Sequence, residues 1–482
     1  VQPAQPAQPA RSLTILQLWQ VLAVALPVIG ALLVSLPSVD LAYQLRAGGE
    51  LLDTGSIPRA DTYTFTVEGA AWLNQQWGAQ AVLALVHRAA GWEGLAVLRA
   101  ALVGATFALV LWACRRAGAG PRQAALLTLA AFTVSIGALA LRPQLSGLLL
   151  FAAAVALATD RRRHPMRLWL LVPLTAVWAN VHGSFFLGPA IAGIAWLEDL
   201  HDRDPGARRS FAIGALTTLA TLANPFLAGV WGYALGLSTS PLIANSITEW
   251  QPTSIRTPLG ALFFASALGV VALIARRSRV TPWPTLLWLG ALFVLGVYAQ
   301  RGMAWWPIGA AVVAAALIER PAVESVRLER PRRLNDVLVG LLVVAVVILL
   351  PWWKEPDPET GRDGLVSYAP SALTAELRAL ATPDDRLLAP QPWGSWFEYA
   401  IPDLPVFVDS RFELFGADVW DEYVGLVNLR EGWQDVLDRR GVTIVVIDPE
   451  RTGGLGEHLA AEPAWRLAYA DDAGSIFVRS DR

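Results

Sequence analysis

The sequence predicts a polytopic α-helical membrane protein with about eleven transmembrane helices and a small C-terminal extracytoplasmic α/β domain. Three observations carry this. The 482 residues are 54% hydrophobic and only 16% charged, with a mean hydropathy of +0.44, where soluble domains carry about 25% charge. Apolar runs of roughly 20 residues, the length of one bilayer crossing, recur as far as Pro351 and end in arginine clusters or short polar corners. Beyond Pro351 the composition turns to that of a water-soluble domain. The net charge of −2 points away from nucleic acid. Cys114 is the single cysteine, which excludes an internal disulfide or a cysteine-based metal site. The 21 tryptophans suit interfacial belts.

Taken in order, residues 1–12 are a Pro/Ala/Gln repeat expected to be a disordered tail. It lacks the charged head of a signal peptide, so the apolar segment 14–36 is read as a retained helix. A polar loop spans 38–90. Ser38 is a candidate N-cap for a helix beginning at Asp40, with Leu41, Leu45 and Leu52 on one face. Gly55-Ser56-Ile57-Pro58 then turns the chain, and Asp61 follows. A second amphipathic piece starts near Asn74, setting Gln75, Gln76, Gln80 and His87 against Trp77, Leu83 and Val86. Further helices run to Arg115-Arg116, over about 123–140, and from the Arg142-Pro143 corner to Asp160. Another, over about 167–182, ends in Asn180-Val181-His182-Gly183. The next ends at Glu198-Asp199, and the one after it is interrupted at Asn224-Pro225. A second polar loop is expected at 226–257. Helices ending at Arg276-Arg277, Gln300-Arg301 and Glu319-Arg320, and one over about 334–351, complete the membrane part, 13–351.

Arginine placement orients it. With the N-terminus inside, about 19 arginines fall in inner loops and about seven in outer ones, which fixes the topology by the positive-inside rule. The 38–90 loop and the domain 352–482 are then extracytoplasmic. In that domain Ser371–Leu380 reads as a helix. Arg386–Ala389, Pro405–Asp409 and Val442–Ile447 read as strands, and Trp465–Tyr469 with Ser475–Val478 as a hairpin. Alternating helices and strands imply a small α/β unit.

Polar groups gather at the outer helix ends: Asp40, Gln44, Arg46, Asp61, Arg142, Asn180, His182, Glu249 and Arg301. Ionisable groups beside hydrocarbon are costly and default to a functional hypothesis. One or two carboxylates among arginines suit transfer from a phosphate-linked donor: a carboxylate takes the proton of the attacking hydroxyl, and guanidinium forks hold the leaving phosphate. Asp40 and Asp61 are the candidate catalytic carboxylates. Arg46, Arg142, His182, Glu249 and Arg301 are the candidate substrate-binding residues, with Arg301 first choice for the phosphate clamp. Each has a structural reading beside the functional one. Asp40 also suits a helix N-terminus, Asp61 a turn, Arg46 snorkelling to headgroups and Arg142 carbonyl capping. His182 also suits an interface hydrogen bond, and Glu249 an ion pair. Asp409 with Arg411, and Arg99 with Glu93, are expected to be internal pairs. No cofactor is expected. The chain lacks a histidine or cysteine cluster for zinc, an oxygen-bound divalent ion at Asp40 and Asp61 is not favoured, and Gly453-Gly454-x-Gly456 lacks the phosphate-loop spacing.

One helix, an outer loop with an early acid and two juxtamembrane helices, many more helices and an outer C-terminal domain together resemble the GT-C superfamily of polyprenyl-phosphate-dependent glycosyltransferases. The pattern Asp40-x7-Gly48-Gly49-x2-Leu52-x2-Gly55-x2-Pro58 is similar to the start of several bacterial members, mannosyltransferases among them. The stretch WGSWFEYAIPDLPVFVDSRFEL resembles the outer domain of related bacterial membrane proteins. The resemblance implies an enzyme of the bacterial plasma membrane and cell envelope. Its donor would be a polyprenyl-phosphate sugar and its acceptor an extracytoplasmic glycan, lipid or protein. The first-loop acid, Asp40 here, would act as catalytic base or metal partner. Many members carry an acidic pair where this chain has Val39-Asp40, which makes Asp61 the candidate second carboxylate. Two other classes stand beside this one. A non-catalytic scaffold of the same fold would bind a partner through the C-terminal domain. A lipid or solute transporter would need charges near the midplane and a repeated pair of broken helices.

Overall fold

The computed structural model describes residues 12–276, 280–318, 332–353, 366 and 369–482. Except for Ser12, the tail expected at 1–12 lies outside them. Helix α1 (Ile15–Leu33) opens on a capping box. Thr14 Oγ1 accepts from Gln17 N at 3.2 Å and Gln17 Oε1 from Thr14 N at 2.9 Å, which satisfies two donors that a helix start leaves orphaned. Helix α2 (Asp40–Thr54) begins with Asp40 in its first turn, where the helix dipole favours an anion. Ser38 does not cap it. Only its carbonyl bonds Leu41 N, at 3.2 Å, and its hydroxyl is used elsewhere. The helix stops at Gly55, whose φ of +67° costs a glycine nothing.

Helix α3 (Trp77–Ala117) counts 41 residues but breaks at Ala90–Gly91, where Gly91 takes φ +61°. The loop expected to reach residue 90 is therefore helical from Trp77. The half before the break crosses α2 so closely that a Cβ on Gly48 would stand 2.1 Å from the Gln80 carbonyl oxygen. The half after it lies against α1. There Arg99 donates to the carbonyls of Ala31, Val34 and Ser35, replacing the expected pair with Glu93. The end of α1 leaves carbonyls without intrahelical partners, and a buried guanidinium needs acceptors.

The remaining helices of this part are α4 (Pro121–Ser135), α5 (Pro143–Asp160), α6 (Leu171–Ala179), α7 (Leu187–His201) and α8 (Ala207–Ala220). They continue with α9 (Gly229–Thr239), α10 (Pro241–Ser246), α11 (Pro258–Ala275), α12 (Trp283–Tyr298), α13 (Trp306–Leu317) and α14 (Arg333–Ile348). The chain does turn at Asn224-Pro225, with Asn224 Oδ1 accepting from Phe226 N at 2.8 Å. The second loop then holds two helices, α9 and α10, because the apolar run resumes after the turn. By length and composition, four described helices suffice to cross a membrane: α1, α3, α5 and α11. Shorter apolar helices, α12 among them, join them in a multi-pass membrane protein. One continuous core runs through the bundle, from Leu41 and Leu45 to Phe107, Phe151, Trp178 and Trp306.

The C-terminal residues build a four-stranded sheet with strands β1 (Leu387–Leu388), β2 (Ile444–Ile447), β3 (Trp465–Asp471) and β4 (Gly474–Arg479), in the order β1-β2-β4-β3. β1 and β2 are parallel and the other pairs antiparallel. Alternation along β2 serves two cores. Ile444 and Val446 face one, with α15 (Ser371–Leu380) and α16 (Gln391–Ala400). Val445 and Ile447 face the other, with α17 (Ala417–Val427), α18 (Trp433–Arg440) and α19 (Pro449–Ala461). The run Pro405–Asp409 is not a regular strand. Val406 bridges Leu387 on one side and Thr64 on the other, with Val406 N donating to Tyr63 O at 3.1 Å and Phe65 N to Val406 O at 3.2 Å. The first loop thus adds itself to the edge of this sheet and ties the C-terminal part to the helices.

Candidate active site

Five segments far apart in the sequence meet around one cavity of about 540 Å³ between the helices and the C-terminal part. Asp40 enters from the first turn of α2 and Arg142 from the corner before α5. His182 comes from the turn after α6, Glu249 from a short 3-10 turn after α10, and Arg301 from another between α12 and α13. Gln391, Ser410, Phe412 and Glu413 of the C-terminal part form the roof.

Arg142 organises one wall. Its Nη1 bonds Glu249 Oε1 at 2.6 Å and its Nε bonds Ser38 Oγ at 3.0 Å, while Nε stands 3.4 Å from Asp40 Oδ2. Proline at 143 holds Arg142 in extended backbone and needs no N–H at the helix start. Burial raises the Asp40 carboxyl above its ordinary range, Arg142 pulls it back, and Glu249 pushes it up again. Arg301 is held differently. Its guanidinium lies over the Trp250 ring, 4.5 Å from the centroid, and it makes no ion pair among the described residues. Glu249 and Asp40 act on it only across the cavity, and an enclosed cation that faces a cavity without a direct ion pair is a site for an anion.

His182 is kept neutral, its pKa lowered to about 3 by burial and by the Arg301 charge. Its Nδ1 accepts from Ser184 N at 3.1 Å and lies 2.7 Å from Ser184 Oγ, which also receives Trp178 Nε1 at 3.0 Å. A neutral ring whose Nδ1 accepts carries its proton on Nε2, so His182 is a hydrogen-bond donor. Nearby, Gln44 Nε2 donates to Tyr43 Oη at 2.6 Å and to Gln76 Oε1 at 2.8 Å. Asn180 is structural: its Oδ1 accepts from Trp77 Nε1 at 2.9 Å.

Asp61 and Arg46 are not brought to this cavity. The Asp61 side chain is wholly buried and accepts from Arg411 Nη2 at 2.6 Å, Thr64 Oγ1 at 2.6 Å and Thr64 N at 3.1 Å. Arg411 also binds Asp409, the expected internal pair, and lies against the Tyr63 and Trp72 rings, 4.4 and 4.7 Å from their centroids. Arg46 pairs with Glu50 at 3.2 Å and donates to the carbonyls of Glu398 at 2.8 Å and Pro402 at 3.2 Å. Both residues join the first loop to the C-terminal part. Asp40 and Asp61 therefore do not form a carboxylate pair. Among the described residues no group of three or more His, Cys, Asp or Glu is placed to hold a metal ion, and Asp40 faces Arg142.

Sequence reasoning missed Tyr43, Tyr233 and the roof residues. Tyr233 sits in the apolar run of α9, where nothing sets it apart. Glu413 lies in the stretch whose resemblance to related outer domains was the one available signal.

No family model and no curated protein matches the chain. Among solved structures it is similar to the apo oligosaccharyltransferase of Archaeoglobus fulgidus, with TM-score 0.59 and 13% identity over 97% of this chain and 74% of that one. It is similar to AglB from Archaeoglobus fulgidus in complex with an inhibitory peptide and a dolichol-phosphate, with TM-score 0.56 and 13% identity over the same shares, 97% and 74%. It is also similar to ArnT from Cupriavidus metallidurans bound to undecaprenyl phosphate, with TM-score 0.51 and 15% identity over 96% of both chains. At these identities the likeness is one of fold, which the chain shares with these oligosaccharyltransferase and ArnT structures.

Proposed function

We propose that the chain is an integral-membrane glycosyltransferase that moves a sugar from a polyprenyl-phosphate donor to an extracytoplasmic acceptor, with inversion. The observation that carries this is Arg301, an enclosed guanidinium that makes no ion pair among the described residues, in the same cavity as a carboxylate at a helix start. Neighbours of the same fold bind dolichol-phosphate and undecaprenyl phosphate, which supports a lipid phosphate as the anion. Asp40 takes the proton of the acceptor hydroxyl as that oxygen attacks the anomeric carbon. The bond from this carbon to the phosphate oxygen breaks, and the polyprenyl phosphate leaves with the electron pair. Arg301 balances the charge that develops on it, and His182 has an N–H to offer the same phosphate. In a site shielded from water these contacts count for more than they would in solution. The C-terminal part closes the cavity from above and orients the acceptor.

The test is transfer from a radiolabelled polyprenyl-phosphate sugar by the wild type and by Asp40→Asn. The variant should keep its fold and lose at least about 10²-fold in rate, the scale of a general base. Full activity would remove Asp40 from the mechanism. An open cavity at Asp40 supports an enzyme over a scaffold, whose groove would be filled by protein.

A further inference from the structure

Glu413 is a carboxylate that the reaction above leaves unused. Protein encloses it, yet it borders the cavity. Among the described residues it makes no direct ion pair, and the Arg411 charge acts on it without a bond. Tyr233 Oη donates to its Oε1 at 2.9 Å, and its own backbone N–H is the other donor near it. Burial pushes this carboxyl up and its donors and Arg411 pull it back; in either state its two oxygens offer more acceptor positions than the bonds found here use, so acceptor capacity remains for a guest in the cavity. Two other roof groups line the same cavity. Gln391 donates to Asp409 O at 3.1 Å and to Ser410 Oγ at 3.3 Å. The Phe412 ring is backed by Trp420, stacked at 4.1 Å.

An acceptor-only group, an amide, a hydroxyl and an aromatic ring form a surface for a ring that carries several hydroxyls. A phosphate would find no directly paired cation at Glu413, and an alkyl chain would leave these polar groups unpaired. Tyr233 lies within electrostatic reach of both Arg301 and Glu413, which sets the roof next to the proposed phosphate clamp. In a sugar phosphate the ring is one oxygen away from phosphorus. We propose that Glu413, positioned by Tyr233, reads the hydroxyls of the donor's glycosyl ring and so selects the sugar. This rests on the polyprenyl-phosphate reading above.

The test is native mass spectrometry of the full chain in nanodiscs. It is titrated with bare undecaprenyl phosphate and with undecaprenyl phosphate carrying mannose, glucose, N-acetylglucosamine or arabinose. At least one glycosylated lipid should bind the wild type about tenfold more tightly than the bare lipid, the scale of one hydrogen bond to a charged group. Glu413→Gln and Tyr233→Phe should each remove most of that preference while leaving bare-lipid affinity within about twofold. An undiminished preference in Glu413→Gln overturns the inference, as does a wild type that binds the bare lipid and prefers none of the four. If neither bare nor glycosylated lipid binds, the donor reading itself falls and takes this inference with it.

Discussion

Arg411→Met is the sharpest perturbation of the seam between the first loop and the C-terminal part. Methionine keeps the length and apolar stem of arginine and removes its charge. The arginine and both of its carboxylate partners, Asp61 and Asp409, have side chains with 0% exposure. Removing one partner from a buried ionic group costs about 3–5 kcal/mol, because the remaining charges are left without compensation. Here two carboxylates are orphaned, beside a Glu398 whose carboxyl burial and the Asp409 charge already push well up. Hydrogen exchange on the full chain in detergent reads the loss directly. Opening of 61–72 and 404–415 should become easier by about two to four decades, while α5 and α11 keep their protection. The sign of the pH dependence follows. The Glu398 carboxyl, already pushed up by burial and by Asp409, loses the Arg411 charge that pulls it down, so stability is lost as pH rises and the defect shrinks as pH falls. Adding Asp61→Asn and Asp409→Asn to Arg411→Met removes the orphaned charge and should restore most of the protection. A loss below about tenfold in Arg411→Met would refute the reasoning, since so small a change is what an exposed pair contributes.

Two further outcomes follow from the same geometry. In Arg142→Gln the cation nearest Asp40 is gone, so the Asp40 carboxyl rises further. The base must be ionised, so the acid limb of the rate–pH profile should shift to higher pH; a fixed limb would show that another group titrates there. Gly48→Ala puts a Cβ 2.1 Å from the Gln80 carbonyl and 2.9 Å from the Ala84 Cβ, which forces α2 and α3 apart at a cost of roughly 1–3 kcal/mol. Its thermal inactivation in detergent should come at a lower temperature than the wild type's, and an unchanged temperature would mean that the crossing has room to give.

The helical bundle was legible because hydrocarbon imposes a simple code of long apolar runs ended by charge. Asp40, Arg142, His182, Glu249 and Arg301 stood out by the same code, since an ionisable group at the edge of such a run requires a partner or a ligand. They line one cavity. Asp61 and Arg46 obeyed the same code and belong elsewhere. Their partners Arg411 and Glu398 O lie 350 and 352 residues away, beyond the reach of local pattern. The hairpin at the C-terminus was readable from alternation and from Asp471–Gly474, where Asp471 Oδ1 accepts from Ala473 N at 2.8 Å and Gly474 N at 3.0 Å. The edge pairing of Thr64 with Val406 was not, because a single bridge leaves no periodic trace.

Mass spectrometry of the lipids that stay with the purified full chain, wild type against Arg301→Ala, probes the anion site most directly. A polyprenyl phosphate should accompany the wild type and be lost from the variant, since a charge-assisted contact of this kind contributes about 1.5–3 kcal/mol. Wild-type protein without any such lipid, or equal retention by both forms, would contradict a phosphate held by Arg301.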